Sequence, residues 1–479
     1  MLMEKMVGRS AEQEILRRIL TSHEAELVAI YGRRRVGKTF LIRNYYKDNL
    51  VFEFTGIHEA ALKDQLRNFG QALQKTMKTK IPFLLSKNWV EAFNFLDQYI
   101  NDLPITKPAV LFFDEFPWIH TQKSGFLQAF DHWWNSSVSK LVHIKVIICG
   151  SAASWMINNI INNRAGLHNR VTQSIRLLPF TLDETAQYLR NRNIKLDNYQ
   201  VLQIYMSIGG IPHYLKNINP GESAAQVIDK LCFTKDGLLK GEFKNLYQSL
   251  FINPDHHEAV VRVLAKKGKG LNRNEIIKEC GLSSGGTSTK ILKELEESGF
   301  IMPYIPFEKN ENESIYKLSD EYSLFYIKFI EHAKATGAGT WLRQLKSPSY
   351  NSWSGFAFES VCQKHYPLIK KALGIEGVHA QVSSWRYTSG KGETQGAQID
   401  LVIDRADRCI NICEIKFSGE EYKIDKKYAL ELDHKVKAFE RVTRTKKALF
   451  LTMITTYGVK QNEYFTGRVQ AEVIMEDLF

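Results

Sequence analysis

No stretch of this sequence approaches the ~18 consecutive apolar residues that a membrane-spanning helix needs. The opening residues, MLMEKMVGRSAEQEIL, lack the apolar core of a secretory leader. Both absences point to a cytoplasmic protein without a membrane partner. Cysteine is sparse: six residues in 479, scattered as Cys149, Cys232, Cys280, Cys362, Cys409 and Cys413. Three lie inside apolar stretches, and Cys409 and Cys413 have neither the spacing nor the partner pair of a zinc knuckle. Buried thiols in a reducing compartment are therefore expected. Low-complexity tracts are missing too, and 44% hydrophobic with 24% charged residues fits an ordinary globular chain. Acidic residues do not balance the basic ones, which leaves a net charge of +12. That excess favours a polyanionic partner such as nucleic acid, although many basic proteins bind none. A chain of 479 residues exceeds the size of one core, so several domains are expected.

The first motif is LVAIYGRRRVGKT at 27–39. A short β-rich run precedes Gly32, Arg33, Arg34, Arg35, Val36, Gly37, Lys38 and Thr39, which match G-x-x-x-x-G-K-[ST], and Phe40 begins a segment with helical spacing. Strand, loop and helix in that order make a phosphate cradle. The glycines let the backbone N–H groups turn toward the phosphates, Lys38 neutralises the β and γ oxygens, and Thr39 holds Mg²⁺. VLFFDEF at 110–116 supplies the acidic strand, with Asp114 placed for Mg²⁺ and Glu115 for the attacking water. The acidic pair could instead be a helix N-cap after a buried strand. IKVIICGS at 144–151 ends in Ser151, which would face the γ-phosphate or simply belong to a turn. ATP and Mg²⁺ are the expected cofactors.

GRRRVGKT, FFDEF, CGSAASWM, RAGLHNR…IRLLPFTLDE and GGIPHYL together resemble the archaeal-type P-loop ATPases, relatives of AAA+ and STAND proteins. The resemblance implies an ASCE-type parallel α/β core with a helical lid, and places Gly209, Gly210 and Pro212 in the lid motif. It also implies an arginine near the phosphates, for which Arg164 and Arg170 are candidates; either could instead form a surface salt bridge. A homo-oligomer is conceivable in such a family. Runs near 27, 51, 110, 144 and 173 alternate with amphipathic segments, the pattern of right-handed crossovers. Thr181 and Glu184 form a capping box that opens the lid. The core is assigned to 1–178 and the lid to 179–240.

Residues 250–325 read as three helices and a two-stranded wing, resembling a winged helix-turn-helix. Lys290 and Lys293 on its third helix, and Lys266, Lys267 and Lys269 beside it, suit phosphate oxygens. Glu294, Glu296 and Glu297 on the same helix would repel DNA, which favours an intramolecular lever over DNA contact. His256 and His257, with no ligand partners at useful spacing, read as surface residues.

The last part, 340–479, holds AQIDLVI and CINICEIKF joined by DRAD, a β-hairpin placing Asp400 and Glu414 on paired strands. Glu414 and Lys416 share one face of their strand. Two carboxylates and an ammonium are costly to bury without pairing or a metal. The set suits Mg²⁺ on Asp400 and Glu414 with Lys416 positioning a water; a salt bridge of Lys416 to an acidic neighbour is the plainer reading. Glu359 lies on a helix upstream that could point to the same metal, and YALELDHKVKAFERV then ALFLTMITT predict a helix and a parallel strand. Glu359, Asp400 and the Glu414-Ile415-Lys416 trio resemble the PD-(D/E)XK restriction-endonuclease-like fold, which implies DNA as substrate. Basic clusters at 423–427 and 441–447 could track phosphates or be solvated helix faces.

Two readings follow. One is an ATPase whose nucleotide state gates a Mg²⁺-dependent nuclease on DNA. The other is an ATP-dependent switch whose nuclease-like domain only docks a partner.

Overall fold

In the computed structural model, residues 6–78, 86–162, 167–251, 253–333, 339–345, 347–388 and 396–479 are described. They divide into two compact units, one of residues 1–179 with 246–254 and 297–299, the other of 180–245, 255–296 and 300–479.

The first unit is built on five parallel strands: β1 (Glu26–Tyr31), β2 (Leu50–Thr55), β3 (Ala109–Asp114), β4 (Ile144–Gly150) and β5 (Gln173–Arg176). Their order is β2-β3-β4-β1-β5. β3 and β4 are buried at every residue, as continuous apolar runs in the middle of a parallel sheet should be. One side is packed with aromatics. Phe52, Phe54, Phe69, Trp89, Phe93, Phe113, Phe126 and Trp133 form one cluster, with the Phe93 and Trp133 rings stacked at 4.9 Å. Rings of this size each remove roughly 150–250 Å² from water, so this side carries much of the unit's stability.

The second unit begins with the lid segment. Helix Leu182–Asn191 starts with the expected capping box, in which Thr181 and Glu184 cap each other's backbone N–H. Gly210 explains why two motifs belong together: the backbone N–H of Phe180 donates to its carbonyl at 2.7 Å, and a Cβ on Gly210 would stand 2.1 Å from the Phe180 carbonyl oxygen. The middle segment contains helices Pro254–Lys266, Arg273–Cys280 and Gly286–Glu297 and the strands β6 (Leu271–Asn272), β7 (Ile301–Tyr304) and β8 (Ile315–Leu318), antiparallel in the order β6-β8-β7. Here one expectation is corrected. His257 is buried, and its Nε2 lies 2.8 Å from a Glu294 carboxylate oxygen, because helix packing supplies a partner 37 residues away. Glu294 thus lies half-buried between His257 and the exposed Lys290, at 2.8 and 3.9 Å.

The C-terminal sheet comprises β9 (Ala380–Tyr387), β10 (Ala397–Arg405), β11 (Cys409–Lys416), β12 (Ala448–Thr455) and β13 (Ala471–Ile474), ordered β13-β12-β11-β10-β9. β10 and β11 form an antiparallel hairpin, and helix Lys426–Thr443 carries the chain to β12, parallel to β11. β9 and β13 extend the sheet on both sides and were not anticipated from the sequence. All six cysteines are unpaired, with Cys149, Cys232, Cys362 and Cys413 buried. Among the described residues no helix is long and apolar enough to cross a membrane.

The Gly210 contact has a measurable consequence. Gly210→Ala forces a methyl into a backbone carbonyl and should destabilise the second unit by about 1–3 kcal/mol, lowering its urea midpoint. Gly377→Ala, where the added Cβ meets nothing within 4 Å, should stay within about 0.5 kcal/mol.

Candidate functional site

The strand order of the first unit assembles the phosphate site. β4 lies between β1 and β3, so the segments leaving the C-terminal ends of these three strands meet along one edge. From β1 comes the loop at 32–39. Gly32 has φ +148°, and a Cβ there would lie 2.2 Å from the Leu177 carbonyl oxygen, so only glycine lets the loop leave β1 beside the end of β5. Lys38 begins helix Lys38–Tyr45, and its buried ammonium donates to the carbonyls of Gly32 and Arg33, each at 2.9 Å. Arg33 is buried, whereas Arg34 and Phe40 are exposed. Arg9, which the sequence reading passed over, is also buried and donates to the Val36 carbonyl at 3.2 Å, tying the first helix to the loop.

Across the edge, the Thr39 hydroxyl donates to Asp114 Oδ2 at 2.7 Å over a sequence separation of 75 residues. Asp114 is only 4% exposed. A hydroxyl beside a buried carboxylate at the foot of a phosphate loop is a fitting oxygen set for Mg²⁺. Glu115 sits at φ 47°, a left-handed conformation that a non-glycine residue adopts at some cost. Its carboxylate accepts from the Ser151 hydroxyl at 2.8 Å and from the Ser151 backbone N–H at 3.3 Å. Ser151, expected near the γ-phosphate, is thus the hydrogen-bond partner of Glu115.

The two arginine candidates fare differently. Arg164 lies outside the described residues. Arg170 is exposed and precedes Thr172, whose N–H donates to the Leu27 carbonyl at the start of β1. The loop leaves the other end of β1, on the order of 13 Å farther on at the rise of a strand. The parallel register Val28 to Gln173 thus sets the backbone next to Arg170 at the end of β1 opposite the loop.

The family of ATPase domains found predominantly in Archaea matches residues 6–218. This part of the chain is an ATPase domain of the archaeal type. An uncharacterised protein of Methanocaldococcus jannaschii is 24% identical over 436 residues, covering 90% of this chain and 92% of its own. An uncharacterised ATP-binding protein of the same organism is 42% identical over 45 residues, 9% of this chain and 76% of its own. The Walker-type ATPase of Pyrococcus abyssi shares the fold with a TM-score of 0.50 at 18% identity, over 68% of this chain and 96% of that one.

The archaeal-type ATPase domain leaves the C-terminal cluster unexplained. Leu401 pairs with Cys413, so one further step of the register sets Asp400 opposite Glu414. On its other side β10 is bulged: Ile399 pairs with Trp385 and Val402 with Ser383, so Asp400 and Leu401 share one position of β9. Asp400 is 8% exposed and Glu414 fully buried. Two carboxylates placed so are destabilising unless cations offset them. Lys435 donates to Glu414 Oε2 at 2.8 Å, the Tyr428 hydroxyl to the same oxygen at 3.1 Å, and Lys416 stands 3.8 Å away. The Ile415 N–H donates to Asp400 Oδ2 at 3.2 Å. Glu414 Oε1 is buried with no hydrogen-bond partner among the described residues.

Glu359 projects from helix Pro348–Lys364 into the same field. Burial, and then the neighbouring Asp400, push its carboxyl up to about 8. Lys317 reaches the cluster from β8; burial lowers its pKa, opposed by the attraction of Glu359 and Asp400. Glu359, Asp400, Glu414 and Lys416 act on one another electrostatically, and Lys317, Lys435 and Tyr428 join them unannounced. Among the described residues no three of His, Cys, Asp and Glu are arranged around one metal ion. Glu414 is met by Lys435 and Lys416, while Asp400 faces the third acid, Glu359, and accepts a backbone N–H.

Two outcomes are expected. Lys38→Ala should abolish ATP binding, whereas Glu115→Gln should bind ATP within a few-fold of wild type yet hydrolyse it at least about 100-fold more slowly, as read by single-turnover assays. Glu359 titrates higher in the folded state than unfolded, so the folded chain holds the extra proton and stability falls as pH rises from about 4.5 to about 8. Thermal melts of Glu359→Gln should therefore lose this slope and exceed wild type at pH 8.5, with no gain at pH 4.

Proposed function

We propose that this chain is an ATP-hydrolysing protein whose second unit acts on nucleic-acid phosphodiesters, with the nucleotide state controlling that action. The observation that carries the reading is the buried Asp400–Glu414 pair with Lys416 two residues beyond Glu414.

At the nucleotide site, Lys38 would exchange the Gly32 and Arg33 carbonyls for phosphate oxygens, and Thr39 and Asp114 would hold Mg²⁺. Glu115 must leave Ser151 to orient a water, so hydrolysis would be coupled to a rearrangement at the ends of β3 and β4. At the C-terminal site, Asp400 and the free Oε1 of Glu414 would receive Mg²⁺, which there supplies charge neutralisation for a scissile phosphate. Lys416 would position the attacking water. The three helices with the β6-β8-β7 sheet suit a winged helix-turn-helix that presents the nucleic acid.

One observation favours the second reading, a nucleotide switch with a non-cleaving domain. Lys435 already supplies the positive charge on Glu414 that a metal would bring. The deciding assay is cleavage of linear, circular and single-stranded DNA with Mg²⁺ or Mn²⁺, with and without ATP. The nuclease reading expects cutting that Asp400→Ala lowers by at least about 100-fold and Lys38→Ala alters. Absence of cutting by wild type that still binds ATP would establish the switch.

A further inference from the structure

Within the second unit, a groove of about 1010 Å³ opens between the β6-β8-β7 sheet and the strands β9 and β10. Six cationic side chains line it, Lys269, Arg273, Lys278, Lys309, Lys317 and Arg386, against two carboxylates, Glu275 and Glu313. Both carboxylates are engaged locally. Glu313 pairs with Lys309 at 2.9 Å, and Glu275 accepts from the backbone N–H of Asn272 at 2.8 Å as part of a helix cap. Lys269, Lys278 and Arg386 are exposed and form no ion pair among the described residues. A concave wall of one charge sign concentrates polyanions, and unpaired cations there release counterions when a phosphate chain binds.

The shape narrows the partner. A duplex is read by a convex element inserted into its groove, whereas a single strand lies within a groove of the protein. The groove also leads somewhere. Lys317 lines both it and a smaller pocket of about 170 Å³ whose wall includes Glu359. Gln398, on the groove wall, precedes Asp400 by two residues on β10.

We propose that this groove binds a single-stranded nucleic acid and that Lys317 holds the phosphate nearest the carboxylates. Strand binding stands on the groove alone. That the bound strand is the substrate of Asp400 and Glu414 rests on the nuclease reading above.

The test is fluorescence anisotropy with the full chain in EDTA, using labelled single-stranded DNA and RNA 20-mers and a 20-bp duplex over a series of salt concentrations. Single strands should bind at least about tenfold tighter than duplex, and the DNA and RNA arms identify which strand is preferred. The combined variant Lys269→Glu, Lys278→Glu, Arg386→Glu should weaken strand binding at least about 30-fold and reduce the salt slope by about two. The charge-keeping set Lys269→Arg, Lys278→Arg, Arg386→Lys should bind as wild type, which separates charge from folding. Lys195→Glu with Lys216→Glu, exposed and outside the groove, should change single-strand binding less than about twofold. Equal affinity for duplex, or loss of binding in Lys290→Glu with Lys293→Glu on the third helix but not in the groove variant, would overturn the proposal. Strand binding without cleavage on adding Mg²⁺ would retain the groove and end the nuclease reading. Cleavage that the groove variant leaves intact would do the reverse.

Discussion

Asp114, Asp400 and Glu414 are carboxylates taken almost wholly out of water, and a charge in that position must be met by a hydrogen bond or a countercharge. This constraint organises both sites. In the first unit Asp114 is met by the Thr39 hydroxyl, Lys38 by two loop carbonyls, and Glu115 by Ser151. These partners are exchangeable, because each is an oxygen or hydroxyl that phosphate, Mg²⁺ or water could replace. A site held closed by its own replaceable contacts is poised for a ligand that does the replacing.

The C-terminal cluster solves the same problem differently. Its carboxylates face each other across one register step, and lysines from three separate elements surround them: Lys416 from β11, Lys435 from the crossover helix and Lys317 from β8. The middle segment is therefore a component of the cluster's electrostatics. Any displacement of β8 would remove a cation from the field of Glu359 and Asp400, which gives the second unit a physical means of making the cluster sensitive to its conformation.

How much of this was legible in the sequence varies by site. The phosphate loop, the acidic strand and the serine after β4 were readable because each motif is contiguous and carries its own strand or helix context. The Glu184 capping box and the β10–β11 hairpin were readable for the same reason. Lys435 was half visible: it falls at helical spacing between Leu432 and Phe439, both buried, so a charge sat on an apolar stripe. His257 was misjudged because its partner, Glu294, lies on another helix.

The sequence by itself determined the local chemistry: where phosphate can be cradled, which strands end in carboxylates, and that Glu414 and Lys416 share a face. Only the tertiary structure decided which of these groups meet. The order β2-β3-β4-β1-β5 brings Thr39 to Asp114, and packing within the second unit delivers Lys317 to Glu359. The reason is that pairing across tens of residues depends on strand register and loop closure. Those are properties of the whole packed chain, and no short stretch of residues encodes them.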